Sequence, residues 1–212
     1  MTESLIYREV EQGTDAWLEI RRGKVTASRV ADVMAKTKTG VSASRANYLI
    51  ELALQRVTGV IEPSYTSEIM QRGIDEEPRA RAAYEVQSNN FVDQVAFIDH
   101  PTIKGFGCSP DGLIDTDGIV EIKNPNSSTH WATIKANEIP NKYYIQMMAQ
   151  LSCTGREWND YVSFDSRFPD RSQLFVKRLH RDDKYIAEME SEIIKFLDEV
   201  NSEVELIMKG KS

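Results

Sequence analysis

Asp111, Glu121 and Lys123 stand close together in the stretch Cys108-Ser109-Pro110-Asp111-Gly112-Leu113-Ile114-Asp115-Thr116-Asp117-Gly118-Ile119-Val120-Glu121-Ile122-Lys123. Carboxylates and main-chain carbonyls are hard oxygen ligands, and Mg²⁺ takes one or two carboxylates, several waters and substrate phosphate oxygens in octahedral geometry. Asp111 and Glu121 suit such an ion, with the carbonyl of Ile122 as a third ligand. Lys123 could orient or deprotonate a water and offset charge building on a phosphate. The chemistry these residue types suggest is metal-assisted phosphodiester hydrolysis.

The element that must gather them is a hairpin. Leu113-Ile114 and Ile119-Val120 are short β-prone runs around an Asp- and Gly-rich connection. Glu121 and Lys123, two apart on a strand, share a face. A two-residue Asp117-Gly118 loop would send Asp111 to the opposite face. A three-residue Thr116-Asp117-Gly118 loop, with Gly118 left-handed at a bulge, pairs Leu113 with Glu121 and Asp111 with Lys123, gathering all three, and is the expected register. Asp-Gly turns and E-x-K pairs also occur in solvated surface hairpins, so spacing alone leaves that reading open.

The flanking elements read as follows. A turn and short helix run from Gln12 through Arg21, and Thr26-Ala27-Ser28 opens a second helix to about Ala35, with Val30, Val33 and Met34 at helical spacing. Free N–H groups at that helix start, with Ser28 there and Arg21 nearby, could receive a phosphate; a plain cap and a surface base are the alternative. Residues 44–58 form an apolar helix ending at Gly59, and after a loop with Pro63 residues 67–88 form another, containing Glu76, Glu77 and an ill-placed Pro78. Phe91 to Ile98 alternates as a strand, and His100 belongs to the loop that closes it. Ser127 to Ala136 starts a helix holding His130, a histidine without a nameable partner. After Ile139-Pro140, Tyr143, Gln146, Met147 and Gln150 sit at helical spacing, with Gln146 and Gln150 on one face. Tyr161–Phe164 and Leu174–Val176 read as strands, and from about Asp182 a last helix carries Ile186, Met189, Ile193, Leu197, Val200, Val204 and Ile207 on one stripe.

The 212 residues suit a single domain. No run of about 18 apolar residues offers a membrane span, and Met1 to Val10 lacks a signal-peptide pattern, so a soluble cytoplasmic protein is expected. Cys108 and Cys153 make no disulfide framework, zinc site or iron–sulfur site, and are expected as buried thiols. A net charge of −7 weighs against a nucleic-acid partner until its distribution is considered. Residues 182–205 hold nine acids against Lys184 and Lys195, which accounts for the whole −7. Residues 21–45 hold seven bases (Arg21, Arg22, Lys24, Arg29, Lys36, Lys38, Arg45) against Asp32 alone. The expected organisation is therefore one domain over 1–212, with basic N-terminal helices in 1–60 and an acidic helix over 182–209 held away from DNA.

Pro110-Asp111, a gap, then Glu121-Ile122-Lys123 resembles the P-D-x(n)-(D/E)-x-K pattern of restriction-endonuclease-like nucleases. The fuller SPDGL…EIK, preceded by QGTDAWLEIRRGKVTAS and followed by IPNKYYIQ, resembles the phage lambda exonuclease and YqaJ-type viral recombinase family in order and spacing over most of the chain. The resemblance implies a restriction-endonuclease-like α/β fold, with a mixed twisted central sheet flanked by helices. It also implies a processive, Mg²⁺-dependent exonuclease, with two ions and Mn²⁺ able to substitute, degrading one strand of duplex DNA 5′→3′ to leave 3′ overhangs for single-strand-annealing recombination. Arg21 and Ser28 would bind the terminal 5′-phosphate, favouring 5′-phosphorylated ends, and Ser109 would contact DNA. Glu77, with Glu76 as the alternative, would add a carboxylate to the metal site. Gln146, with Gln150 as second choice, would lie beside the scissile phosphate. A homotrimeric ring, a phage-type single-strand annealing protein as partner, and a phage or prophage gene acting in a bacterial cytoplasm complete the expectation. An endonuclease of the same fold and a non-catalytic DNA-binding recombination scaffold are the rival readings.

Overall fold

A computed structural model describes residues 5–37, 40–62 and 67–210. Lys38 and Pro63 lie outside them. The N-terminal part runs β1 (Ile6–Tyr7), α1 (Asp15–Arg21), β2 (Val25–Thr26), a 3₁₀ turn at Ala27–Arg29, α2 (Val30–Met34), β3 (Lys36–Thr37), β4 (Gly40–Val41) and α3 (Ala43–Thr58). The middle holds α4 (Glu68–Ser88), β5 (Phe97–Asp99), β6 (Phe106–Cys108), β7 (Gly112–Ile114) and β8 (Gly118–Lys123). Then come α5 (Ser127–Ala136), α6 (Asn141–Thr154), β9 (Trp158–Phe164), a short α7 (Asp170–Gln173), β10 (Leu174–His180) and α8 (Asp183–Lys209).

Among the described residues the larger sheets have the orders β1-β5-β6-β2 and β10-β9-β8-β7. Strand β8 pairs antiparallel with β7 and parallel with β9. A parallel neighbour requires a long crossover, here α5 and α6. That crossover brings α6, with its two glutamines, back to the polar face of β8. Ile119 and Leu113 face one apolar core shared with α3, α6 and α8, while Val120, Ile122 and Ile114 face a second with Ala80 and Tyr84 of α4.

The hairpin adopts neither register suggested by its sequence. Ile114 pairs with Gly118, Leu113 with Ile119 and Gly112 with Val120, so the loop is Asp115-Thr116-Asp117 and Asp115, not Gly118, takes the positive φ of 44°. Gly118 is required for a different reason: a Cβ there would lie 2.1 Å from Cζ2 of Trp158 on β9. Arg156 locks this end by donating to the carbonyls of Ile114 (2.8 Å) and Gly118 (2.6 Å). The register differs from the expected one by two residues, an even number, so every side chain keeps its face. Asp111, Glu121 and Lys123 still converge.

Other departures have similar local causes. The strand expected over Phe91–Ile98 is confined to β5; upstream of it Asp93 makes only an isolated bridge to Leu113, and Phe91 is exposed. Helix α4 continues through Pro78, held by the Ser67 cap and by Arg72 donating to the carbonyls of Asn124 and Pro125. His100 lies in the loop after β5, as expected, but is buried there, with Nε2 3.1 Å from Ser152 Oγ and 3.3 Å from Glu190 Oε1. His130 finds partners 2.8 Å away in Ser163 Oγ and the Ser172 carbonyl. Both cysteines are buried thiols, as expected. Among the described residues no helix is long and apolar enough to cross a membrane.

Candidate active site

Glu121 is the centre of the cluster. It is enclosed at the C-terminal end of β8, where each carboxylate oxygen is met by side-chain donors. Lys123 and Gln146 both bind Oε1, the amide at 2.5 Å, and Gln150 donates to Oε2. The two glutamines play different parts. Gln150 is fully buried and its own carbonyl oxygen accepts from Asn159 at 2.7 Å, so it is fixed inside the protein. Gln146, one turn nearer the helix start, is partly exposed and can present its amide to a substrate as well. Tyr143, below it, lies 5.4 Å from the Lys123 ammonium and stacks on Tyr161, steadying the lysine stem.

Asp111 approaches from the loop before β7, one oxygen accepting the Ile122 N–H at 2.5 Å. Gln12 pins that loop by donating to the carbonyls of Pro110 and Val95 at 3.0 and 2.9 Å. Burial, and then the neighbouring Glu121 charge, raise the Asp111 carboxyl well above the usual carboxylate range, against the opposing pull of Lys123. Burial also raises Glu77 on α4, which stands in the fields of Arg81, Lys123 and Glu121. Glu76 points elsewhere, to Arg79 at 3.1 Å, so Glu77 is the acid of this pair that faces the cluster. Burial works against the Lys123 charge, but Glu121 and Asp111 outweigh it and hold the ammonium above the usual lysine range.

Three carboxylates in each other's fields are compensated by one lysine and, at the edge, Arg81. Among the described residues no three acidic, histidine or cysteine side chains already form a metal cage. The donor set nonetheless suits a hard divalent ion of the Mg²⁺ type, which needs only one or two carboxylates, a carbonyl such as that of Ile122, and water or phosphate oxygens. An added cation would also relieve the repulsion that raises Asp111.

The N-terminal bases are largely neutralised within the protein. Arg45 makes a two-pronged pair with Glu199 of α8 (2.7 and 2.9 Å), Lys36 lies 3.8 Å from Glu192, Lys24 is 2.7 Å from Asp99, Arg22 2.7 Å from Glu19, and Arg29 2.6 Å from Asp32. The acidic last helix thus partly covers the basic segment, a pairing that counting charges along the sequence could not reveal. Arg21 is different. Among the described residues no carboxylate pairs with it; its guanidinium lies 3.7 Å over the Trp17 ring, and burial lowers its pKa to about 10 despite the nearby Tyr48 hydroxyl. The Trp17 indole N–H donates to Ser109 Oγ and to the Ala96 carbonyl, both at 3.0 Å. Trp17 therefore ties Arg21 to the segment that carries Asp111, a link its place in QGTDAWLEIRR hints at only through the four-residue spacing to Arg21. Ser28 is exposed in the 3₁₀ turn, 3.4 Å from Thr26 Oγ1, and the Thr26 N–H is held by Tyr48.

The model of the YqaJ-like viral recombinase domain matches residues 16–157. The chain belongs to this family. Every site residue described above from Trp17 to Gln150 falls inside the YqaJ-like segment, while the acidic α8 lies beyond it. Among solved structures, the chain is similar to the alkaline exonuclease LHK-Exo from Laribacter hongkongensis, with 49% identity, a TM-score of 0.87, and coverage of 92% of this chain and 97% of that one. A complex of LHK-Exo with dAMP matches at 50% identity with the same TM-score and coverage. A phage-related exonuclease from Haemophilus somnus 129PT shares the fold at 14% identity, with a TM-score of 0.65 over 88% of this chain and 95% of that one. No curated protein matches the chain. The mixed α/β architecture of this YqaJ-like protein is thus the restriction-endonuclease-like one expected from its sequence.

Proposed function

We propose that this protein is a divalent-metal-dependent exonuclease that degrades one strand of duplex DNA from its 5′ end, leaving 3′ overhangs for annealing recombination. Family membership and the likeness to an alkaline exonuclease support a nuclease acting on DNA. The observation that carries the finer reading is the convergence of Asp111, Glu121, Lys123 and Gln146 at one end of β8, with an arginine that has no carboxylate partner among the described residues tied to the Asp111 segment through Trp17. The LHK-Exo complex with dAMP, a nucleoside monophosphate, is in keeping with it.

Asp111, Glu121, the Ile122 carbonyl and Glu77 would hold the metal, as one Mg²⁺ or a pair, with Mn²⁺ as a substitute. When bound, such an ion supplies Lewis-acid stabilisation of charge on the phosphate. Lys123, held as an ammonium by its two carboxylates, donates rather than accepts, and its charge offsets that building on the five-coordinate phosphorus of the transition state. Gln146 offers a neutral N–H and carbonyl to orient phosphate or water without altering the charge. Arg21, Ser28 and Ser109 would receive the terminal 5′-phosphate and the adjoining backbone. A homotrimeric ring, a phage-type annealing partner and a cytoplasmic setting belong to the same proposal and rest on family membership.

The direction of attack is tested at Arg21. A guanidinium can give two charge-assisted hydrogen bonds to one phosphate, about 1.5–3 kcal/mol or roughly 10- to 150-fold. Wild type should digest 5′-phosphorylated ends faster than 5′-hydroxyl ends by about this factor at fixed salt, and Arg21→Ala should abolish the difference, with Arg21→Lys restoring part of it. Initial rates on the two ends measure this; equal slowing of both by Arg21→Ala would place the phosphate pocket elsewhere.

A further inference from the structure

A groove of about 770 Å³ runs past Glu77 of the carboxylate cluster, with Trp17, Arg81, Arg8, Glu9 and Glu11 also in its walls. Trp17 carries Arg21 on its ring, and Glu77 stands in the field of Glu121 and Lys123. Arg81 lies one helical turn beyond Glu77 on α4, with a side chain only 19% exposed. Its Nη1 is enclosed yet has no hydrogen-bond acceptor among the described residues. Glu77 Oε1 is 3.7 Å from it, near enough for charge attraction and too far for a hydrogen bond. Three other partly buried arginines are satisfied: Arg72 and Arg156 bind main-chain carbonyls, and Arg178 forks onto Asp160. A guanidinium that lines a groove while one of its enclosed nitrogens lacks an acceptor is unfavourable until it meets one.

We propose that Arg81 binds a backbone phosphate of the DNA strand lying in this groove, other than the terminal phosphate taken by Arg21. The inference rests on reading the protein as a DNA exonuclease. A fixed guanidinium here serves two ends: it neutralises Glu77 while the groove is empty, and it gives charge-assisted hydrogen bonds to a phosphate once the strand is in place. A residue that only balanced Glu77 would do the first and not the second.

Binding separates the two. With EDTA present, so that no strand is cut, the affinity of wild type, Arg81→Ala and Arg81→Lys for a short 5′-phosphorylated duplex is measured across a range of salt. Arg81→Ala should bind about 10- to 100-fold more weakly, and the slope of log affinity against log salt should fall by about one unit. Arg81→Lys should keep the slope and recover part of the affinity, which also guards against a folding defect in the alanine variant. Replacing the internal phosphates one at a time with neutral methylphosphonates should, at one position, weaken wild type but leave Arg81→Ala unchanged. Affinity and slope equal to wild type in Arg81→Ala would overturn the inference, while wild-type digestion of linear DNA would leave the exonuclease reading standing. A wild type that neither binds nor digests linear DNA sinks both.

Discussion

Asp111→Asn and Glu121→Gln should each reduce hydrolysis of linear duplex DNA by about 10²- to 10⁴-fold while leaving the fold intact. Each removes a charged ligand with little change of shape, and loss of several kcal/mol of metal-borne stabilisation at roughly 1.4 kcal/mol per tenfold gives that range. Stability should move the other way for Asp111. Its carboxyl is raised in the folded protein by burial and then by Glu121. A carboxyl with a folded pKa above its unfolded value contributes stability below the unfolded value and loses it as pH rises through the folded one. In EDTA at pH 8, Asp111→Asn should therefore melt above wild type, by about 2–4 °C per kcal/mol recovered. Added Mg²⁺ should raise the melting temperature of wild type and not of the variant. Near-normal cleavage by either variant, or equal Mg²⁺ stabilisation of wild type and Asp111→Asn, would remove these carboxylates from the metal site.

Lys123→Ala should cost about 10²- to 10³-fold in turnover, the usual loss when a preorganised donor to a charged transition state is deleted. Mg²⁺ binding should survive and even tighten, because Lys123 occupies Oε1 of Glu121 and competes with a cation for it. Initial rates and a Mg²⁺ titration followed by thermal shift measure the two effects separately. If metal binding is lost along with turnover, the lysine positions Glu121 rather than stabilising the reacting phosphate.

Much of this site was legible because side-chain alternation along strands is strict. Glu121 and Lys123 share a face in any β conformation, and Asp111 joins them in every register of the same parity. The exact register was not legible, since it is set by Trp158 pressing on Gly118, a contact between residues forty positions apart. Gln146 and Gln150 were readable as neighbours on one helix face, but their separate roles depend on Asn159, which reaches only the inner one. The burial of His100 within its loop is not legible in the sequence because its partners, Ser152 and Glu190, lie far along the chain. The same distance hid the pairing of Arg45 with Glu199, so a segment that counts as basic is mostly neutral in space and Arg21 stands out only in the folded protein.

The most direct test of the activity itself compares linear and covalently closed circular duplex DNA incubated with the wild-type protein, with and without Mg²⁺. The expected result is release of nucleotides from the linear duplex only when Mg²⁺ is present, with one strand of each end shortened from its 5′ terminus and the circle intact. Cutting of the circle at a comparable rate would make the protein an endonuclease, and an untouched linear duplex in Mg²⁺ would contradict catalysis at Asp111, Glu121 and Lys123 altogether.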